Sequence, residues 1–208
     1  MPQPRISWSS DVTKKIANFN SKCVIGLDRD GVLNKDLRTY VTTPENFEPI
    51  EGSLEAVAKL RSLGYKIAII TNQGGIEKGI MSQEDVENVN YKMLELLGEA
   101  GCPSVNAIYY STSSRKDDMY AKPNTGMFKR CEKENPDIKF SKGFYVGDKI
   151  SDLKAAIKIG ARPILVRSGH GQETENLINK RFTYQAIKKA TKIFDNLAAF
   201  AEWIETQN

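Results

Sequence analysis

The chain has 208 residues, 40% of them hydrophobic and 27% charged, with a net charge of +4. That length supports one domain with a full core, or one domain with additions, and needs no disulfide staple. The 30 Lys and Arg are scattered among 26 acids, so the charge suits an anionic substrate without forming a nucleic-acid footprint. The three cysteines, Cys23, Cys102 and Cys131, are far apart and odd in number, which points to a reducing cytoplasm. His170 is the single histidine, so neither a Cys/His zinc site nor a histidine triad is expected. No apolar run approaches the roughly 20 residues of a membrane span, and residues 1–10 lack the apolar core of a secretory signal.

Residues 1–22 read as a polar appendage, with a pattern over 11–19 that permits a short amphipathic helix. Residues 23–208 read as a single domain. The first strand is expected over 23–27 and ends abruptly in Asp28-Arg29-Asp30-Gly31. Alternate residues of an extended chain face the same side, so Asp28 and Asp30 can share one pocket. Two carboxylates that close repel unless a cation or proton lies between them, which makes the strand end a candidate Mg2+ site. Taken alone, the pair reads equally as a solvated turn. Residues 36–49 form an irregular stretch long enough to lean over the strand end as a flap.

The spacing of Leu54, Val57, Leu60 and Leu63 predicts a helix over 52–63, closed by Gly64. A buried strand over 65–70 runs into Thr71-Asn72-Gln73. Ser82 and Asp85 resemble a capping box opening a long helix to about residue 100. A third strand is expected over 105–110, followed by a polar loop ending in Lys122-Pro123 and a helix over 125–134. A fourth strand over 143–146 ends at Gly147-Asp148, with Asp152 four residues on in a helix over 150–159. A fifth strand over 162–166 leads into the loop Arg167-Ser168-Gly169-His170-Gly171. The remainder reads as helical, with a short strand at 192–194.

Alternating strands and helices imply a mostly parallel sheet covered on both faces, with ligands beyond the carboxyl ends of its strands. Aspartates follow the first and fourth strands and Thr-Asn the second, and a lysine precedes the intervening helix. These groups converge on one sheet edge. Neither a GxxxxGK[ST] nor a GxGxxG phosphate loop is present.

DRDGVLN (28–34), TNQGGIEKG (71–79), KPNTGM (122–127), VGDKISD (146–152) and LVRSGHG (165–171) together resemble the motif set of the haloacid dehalogenase (HAD) superfamily of phosphohydrolases. The resemblance spans roughly residues 23–171, in the family's motif order. The wording is similar to the subgroup of heptose-bisphosphate and histidinol-phosphate phosphatases. TNQGGI and KPNTGM are also similar to the 3′-phosphatase domain of polynucleotide kinase/phosphatase. The resemblance implies a three-layer Rossmann-like α/β fold with sheet order about 3-2-1-4-5 and no separate cap domain. It also implies Mg2+-dependent phosphomonoester hydrolysis through an aspartyl-phosphate. Asp28 would be nucleophile and metal ligand, and Asp30 the acid/base, with its carbonyl on the metal. Asp148 would be a further metal ligand. Thr71 and Lys122 would assist catalysis. Asn72, Gln73, Arg115, Lys149 and Arg167 would contact substrate. Asp152 would reach the metal through water, orient Lys149, or simply stabilise its helix N-terminus.

Two departures stand out. Heptose-bisphosphate phosphatases often carry a Cys/His zinc loop before the motif lysine; residues 111–121 here hold neither residue, so no structural zinc is expected. Ala121 stands where an arginine is frequent, with Arg115 or Lys116 as candidate replacements. The expected substrate is a small phosphorylated sugar, handled by a cytoplasmic monomer without membrane contact. Histidinol phosphate and a polynucleotide 3′-phosphate are the alternatives, the latter disfavoured by the mild charge. A receiver-like signalling domain is a non-enzymatic reading, opposed by Asp30, because receivers lack an acid two residues after the phosphorylated aspartate.

Overall fold

Six short strands carry the fold: β1 (Val24–Leu27), β2 (Lys66–Asn72), β3 (Ala107–Ser111), β4 (Phe144–Gly147), β5 (Arg162–Val166) and β6 (Lys192–Phe194). The computed structural model describes residues 23–207, so the helix considered over 11–19 lies outside the described residues. All six strands are parallel, in the order β3-β2-β1-β4-β5-β6. The expected 3-2-1-4-5 order is thus extended by β6. Every residue of β1, β3 and β4 is buried, as a parallel sheet covered on both faces demands.

The covering helices are α1 (Ser53–Ser62), α2 (Gln83–Glu99), α3 (Gly126–Glu134), α4 (Ile150–Ile159), α5 (Gly171–Lys180), α6 (Gln185–Ala190) and α7 (Leu197–Thr206). Alternation along β1 sorts them into layers. Ile25 and Leu27 join Val57 and Leu60 of α1, Met93 and Leu97 of α2, and Phe200 and Ile204 of α7. Val24 faces the opposite cluster, with Phe128 and Cys131 of α3 and Ala155 and Ala156 of α4. The capping box opening α2 is formed: Asp85 N–H donates to Ser82 Oγ (3.1 Å) and Ser82 N–H to Asp85 Oδ2 (2.7 Å).

Strand order reverses beside β1, which pairs with β2 on one side and β4 on the other. Doubly wound sheets open a crevice at such a point, beyond the strands' carboxyl ends. The flap over residues 36–49 is fastened by Val41 and Phe47, both buried in the α1 layer. It carries a 3-10 turn, Pro44–Asn46, and its end is bridged back to the start, Pro49 pairing antiparallel with Asn34.

Candidate active site

β1 delivers the first aspartate at the seam with β4, where Asp28 N–H donates to Val146 O at 2.9 Å. Asp28 is 5% exposed, and its Oδ1 accepts the backbone N–H of Arg29 at 2.8 Å. Gly31 then turns the chain at φ +88°, and a Cβ there would collide with the Asp148 carboxylate. Glycine meets both demands at once, left-handed backbone and close approach. Asp30 is gripped from several sides. Arg29 Nε and Nη2 donate to its two oxygens at 3.1 Å each, Asn34 Nδ2 at 3.0 Å and Gln73 Nε2 at 2.8 Å. Burial pushes the Asp30 carboxyl up, but the Arg29 guanidinium and these hydrogen bonds hold it below its ordinary value.

Lys122, 4% exposed, joins the second group of acids. Its Nζ lies 2.9 Å from Asp28 Oδ1 and 2.7 Å from Asp152 Oδ1. Burial works against the ammonium, yet the Asp152 and Asp28 carboxylates raise its pKa above the ordinary lysine value. Burial also pushes the Asp28 carboxyl up, with Lys122 pulling the other way. Asp148 is fully buried; its Oδ2 accepts the His170 N–H at 2.8 Å, and Thr174 Oγ1 donates to its carbonyl at 2.7 Å. Burial drives the Asp148 carboxyl well above its ordinary value; Lys149 opposes this, and Asp152 and Asp28 add to it.

Asp28, Asp148 and Asp152 can each bring a carboxylate oxygen within 4.8 Å of the others. Asp148 Oδ1 is buried and has no hydrogen-bond partner among the described residues. A buried carboxylate oxygen without a donor needs a cation or a proton. Three hard oxygen donors so close fit a hard divalent ion such as Mg2+.

Above these groups opens a cleft of about 830 Å³, lined by Asp30, Asn72, Lys122 and Lys149 together with the flap residues 36–41. A family model described as polynucleotide kinase 3 phosphatase matches residues 23–197. The chain belongs to this family. A D-glycero-beta-D-manno-heptose-1,7-bisphosphate 7-phosphatase of Pseudomonas putida is 35% identical over 175 residues, covering 84% of this chain and 95% of that protein. The D-glycero-alpha-D-manno-heptose-1,7-bisphosphate 7-phosphatase of Photorhabdus laumondii is 37% identical, covering 77% and 93%. The crystal structure of the D,D-heptose 1,7-bisphosphate phosphatase from B. bronchiseptica, complexed with magnesium and phosphate, superposes with a TM-score of 0.79. It is 29% identical, and the match covers 90% of this chain and all of that one. The fold is therefore that of the HAD phosphatases.

Within this polynucleotide kinase 3 phosphatase family member, the expected site residues divide. Asp28, Asp30, Thr71, Lys122 and Asp148 gather at the carboxyl ends of β1, β2 and β4. Asn72 lines the cleft, but its side-chain amide is committed to the Lys122 backbone, accepting from N–H at 2.9 Å and donating to the carbonyl at 3.1 Å. Gln73 was expected on substrate; its Nε2 instead donates to Asp30 and, at 3.0 Å, to Thr71 Oγ1. Its side chain is 1% exposed, because the turn after β2 folds it inward. Lys149 borders the cleft with its Nζ held by Asp36 Oδ2 at 2.8 Å. Asp152 Oδ2 accepts the backbone N–H of Lys149 at 2.9 Å, which closes the first turn of α4, while its Oδ1 faces Lys122.

Two expectations are corrected. Arg115 does not border the cleft: its guanidinium pairs with Asp117 of its own loop, at 3.0 and 2.6 Å, and is 64% exposed. Arg167 is likewise consumed elsewhere, by Glu175 at 2.7 and 3.0 Å and Asp195 at 2.6 Å. Residues 111–121 are ordered by hydrogen bonds of their own. Ser113 Oγ donates to Glu77 (2.7 Å), Asn124 Nδ2 donates to the carbonyls of Lys116 and Asp118, and Asp118 Oδ1 accepts Tyr120 N–H.

Sequence reasoning missed Arg29, fully buried and anchored on Asn90 Oδ1 at 3.0 Å. Its place between two aspartates was the available signal. It also missed Asp36, which carries no motif, and Tyr145, which looked like an ordinary strand residue.

Proposed function

We propose that the protein is an Mg2+-dependent phosphomonoester hydrolase working through an aspartyl-phosphate, with D-glycero-D-manno-heptose 1,7-bisphosphate, or a closely related sugar phosphate, as its substrate. The observation that carries the chemistry is the buried Asp28–Lys122–Asp152 and Asp148 cluster at the mouth of β1 and β4. Asp28 attacks phosphorus, one P–O bond forms, and the bond to the leaving oxygen breaks. Asp30 gives that oxygen a proton and then removes one from the water that hydrolyses the intermediate. Its grip by Arg29 and Gln73 favours the ionised form and suits the second half. The dianionic phosphoryl group arriving beside it opposes that pull, because a neighbouring like charge raises a carboxyl pKa. Thr71 and the Asn72 edge of the cleft orient the phosphoryl oxygens, and Lys122 offsets the negative charge gathered on nucleophile and phosphate. Asp28, Asp148 and the Asp30 carbonyl would hold Mg2+, which supplies charge neutralisation for the phosphoryl oxygens.

The outer cleft supports a substrate with a second anionic group. Its lining holds Arg38, Lys78, Lys116, Lys154 and Lys158 besides Lys122 and Lys149, with Asp30 and Asp36 as the acids. A concave basic wall concentrates polyanions and speeds their capture. We further infer a monomer acting in the cytoplasm; no helix of the described residues is long and apolar enough to cross a membrane. The test is phosphate release with Mg2+ from both anomers of heptose 1,7-bisphosphate, the matching monophosphates, histidinol phosphate and a 3′-phosphorylated oligonucleotide. The reading expects the bisphosphates to give the highest kcat/KM. A preference for the oligonucleotide would replace the sugar, and no release from any of them would overturn the enzyme.

A further inference from the structure

We propose that Tyr145 is a positioning residue for this reaction, holding the Lys122 ammonium against the nucleophile, and that Gly26 in β1 makes room for it. The inference rests on the phosphatase reading, because it concerns how Lys122 serves Asp28. Tyr145 is fully buried in β4. Its hydroxyl donates to Ile70 O at 2.6 Å and accepts from Lys122 Nζ at 2.9 Å. A tyrosine hydroxyl has a single proton, so donating it to Ile70 turns the oxygen's lone pairs toward the ammonium.

The route of this contact is unusual. Ile70 lies in β2 and Tyr145 in β4, and β1 runs between them. The ring must therefore cross β1, where Gly26 is its register partner. A Cβ on residue 26 would lie 2.6 Å from Tyr145 Cδ2. Glycine inside a buried strand costs stability and marks close approach by another group. Phe128 then packs edge-on against the ring, centroids 4.9 Å apart at 71°, and fixes its plane.

The physical gain lies in which acceptors persist through the cycle. Nζ faces two carboxylates and one hydroxyl. When Asp28 becomes an acyl phosphate its carboxylate charge moves out onto the phosphoryl group, and the ion pair with Lys122 changes. Asp152 and the Tyr145 hydroxyl are not consumed by the reaction, and the hydroxyl adds a neutral contact anchored on the backbone at Ile70 O. It keeps Nζ where charge develops, a preorganised placement that contributes only if it is held before the reaction.

The experiment compares the Mg2+-loaded wild type with Tyr145→Phe, which keeps the ring and removes the hydroxyl, using p-nitrophenyl phosphate. Turnover by the wild type is the control; its absence would sink the phosphatase reading rather than this inference. The expected result is a kcat lower by about tenfold in Tyr145→Phe, with KM within about threefold, since a displaced Lys122 loses hold of charge that develops in the transition state. Gly26→Ala, which keeps the hydroxyl but displaces the ring, is expected to show the same split. In the double variant the loss should be no greater than in the slower single variant, because both changes remove one contact. A folded Tyr145→Phe with wild-type kcat overturns the proposal, as does a fully multiplicative double variant. Should Gly26→Ala fail to fold, Tyr145→Phe decides alone.

Discussion

At the buried end of the cleft, Asp28, Asp148, Asp152 and Lys122 are 5%, 0%, 1% and 4% exposed. At its mouth, the Lys149 side chain is 39% exposed, and Arg115, in the loop beside the mouth, is 64% exposed. The two regions use their charges differently. Inside, the groups are buried and held at short range by fixed partners, so their positions are set before substrate arrives. Outside, water and salt screen the charges, so a single pair contributes little and a substrate phosphate can displace one surface partner for another. Chemistry is assigned to the first region and choice of substrate to the second.

Asp28→Asn gives the sharpest break. With the nucleophile gone, turnover of p-nitrophenyl phosphate is expected to fall by more than about a thousandfold. Folding should survive. Burial raises the Asp28 carboxyl, and the charged form sits near Asp152 and Asp148, so a neutral amide relieves repulsion while Lys122 keeps Asp152. Thermal unfolding beside the kinetics separates the two outcomes, and full activity in this variant would defeat the aspartyl-phosphate route.

The same division explains what could be read before the fold was known. Strands, layers and the positions of Asp28, Thr71, Lys122 and Asp148 follow from local rules: apolar runs, alternation, and polar residues at strand ends. β6 was legible because Lys192-Ile193-Phe194 interrupts helical sequence. Arg115 and Arg167 were misplaced because a surface guanidinium goes to whichever carboxylate is nearest in space. For Arg167 those carboxylates are Glu175 and Asp195, 8 and 28 residues away. Gln73 was assigned to substrate because side-chain direction in a turn has no period. Tyr145 was invisible because its role depends on β1 lying between two other strands, a non-local fact.

At the mouth, Lys154→Ala with Lys158→Ala sharpens the comparison. Both side chains line the cleft, on α4, one helical turn apart. Removing both is expected to raise KM for a sugar bisphosphate by about tenfold, near 1.4 kcal/mol, and to leave p-nitrophenyl phosphate kinetics within about twofold. The difference should shrink with added salt, because exposed charges are screened. Equal losses on both substrates would place these lysines in the chemistry and erase the division between the regions.

The smallest effect is expected at Asp36, where the regions meet. Its Oδ2 accepts from Lys149 Nζ at 2.8 Å and lies 3.3 Å from His170 Nε2, tying the flap to the loops after β4 and β5. Partial burial raises the Asp36 carboxyl, but the Lys149 hydrogen bond and charge outweigh it and bring the value below the ordinary 3.8. A depressed folded-state pKa stabilises the protein above the unfolded value, and that contribution fades as pH falls through the folded one. Asp36→Asn should therefore cost under about 1 kcal/mol at neutral pH, screened as the pair is, and nothing once the pH lies below the depressed folded-state value. KM for a bisphosphate should rise by about twofold as the flap loosens, with kcat unchanged. Denaturant unfolding of both proteins across pH measures the first, and a stability gap that persists in acid would mean Asp36 holds the flap by packing rather than by charge.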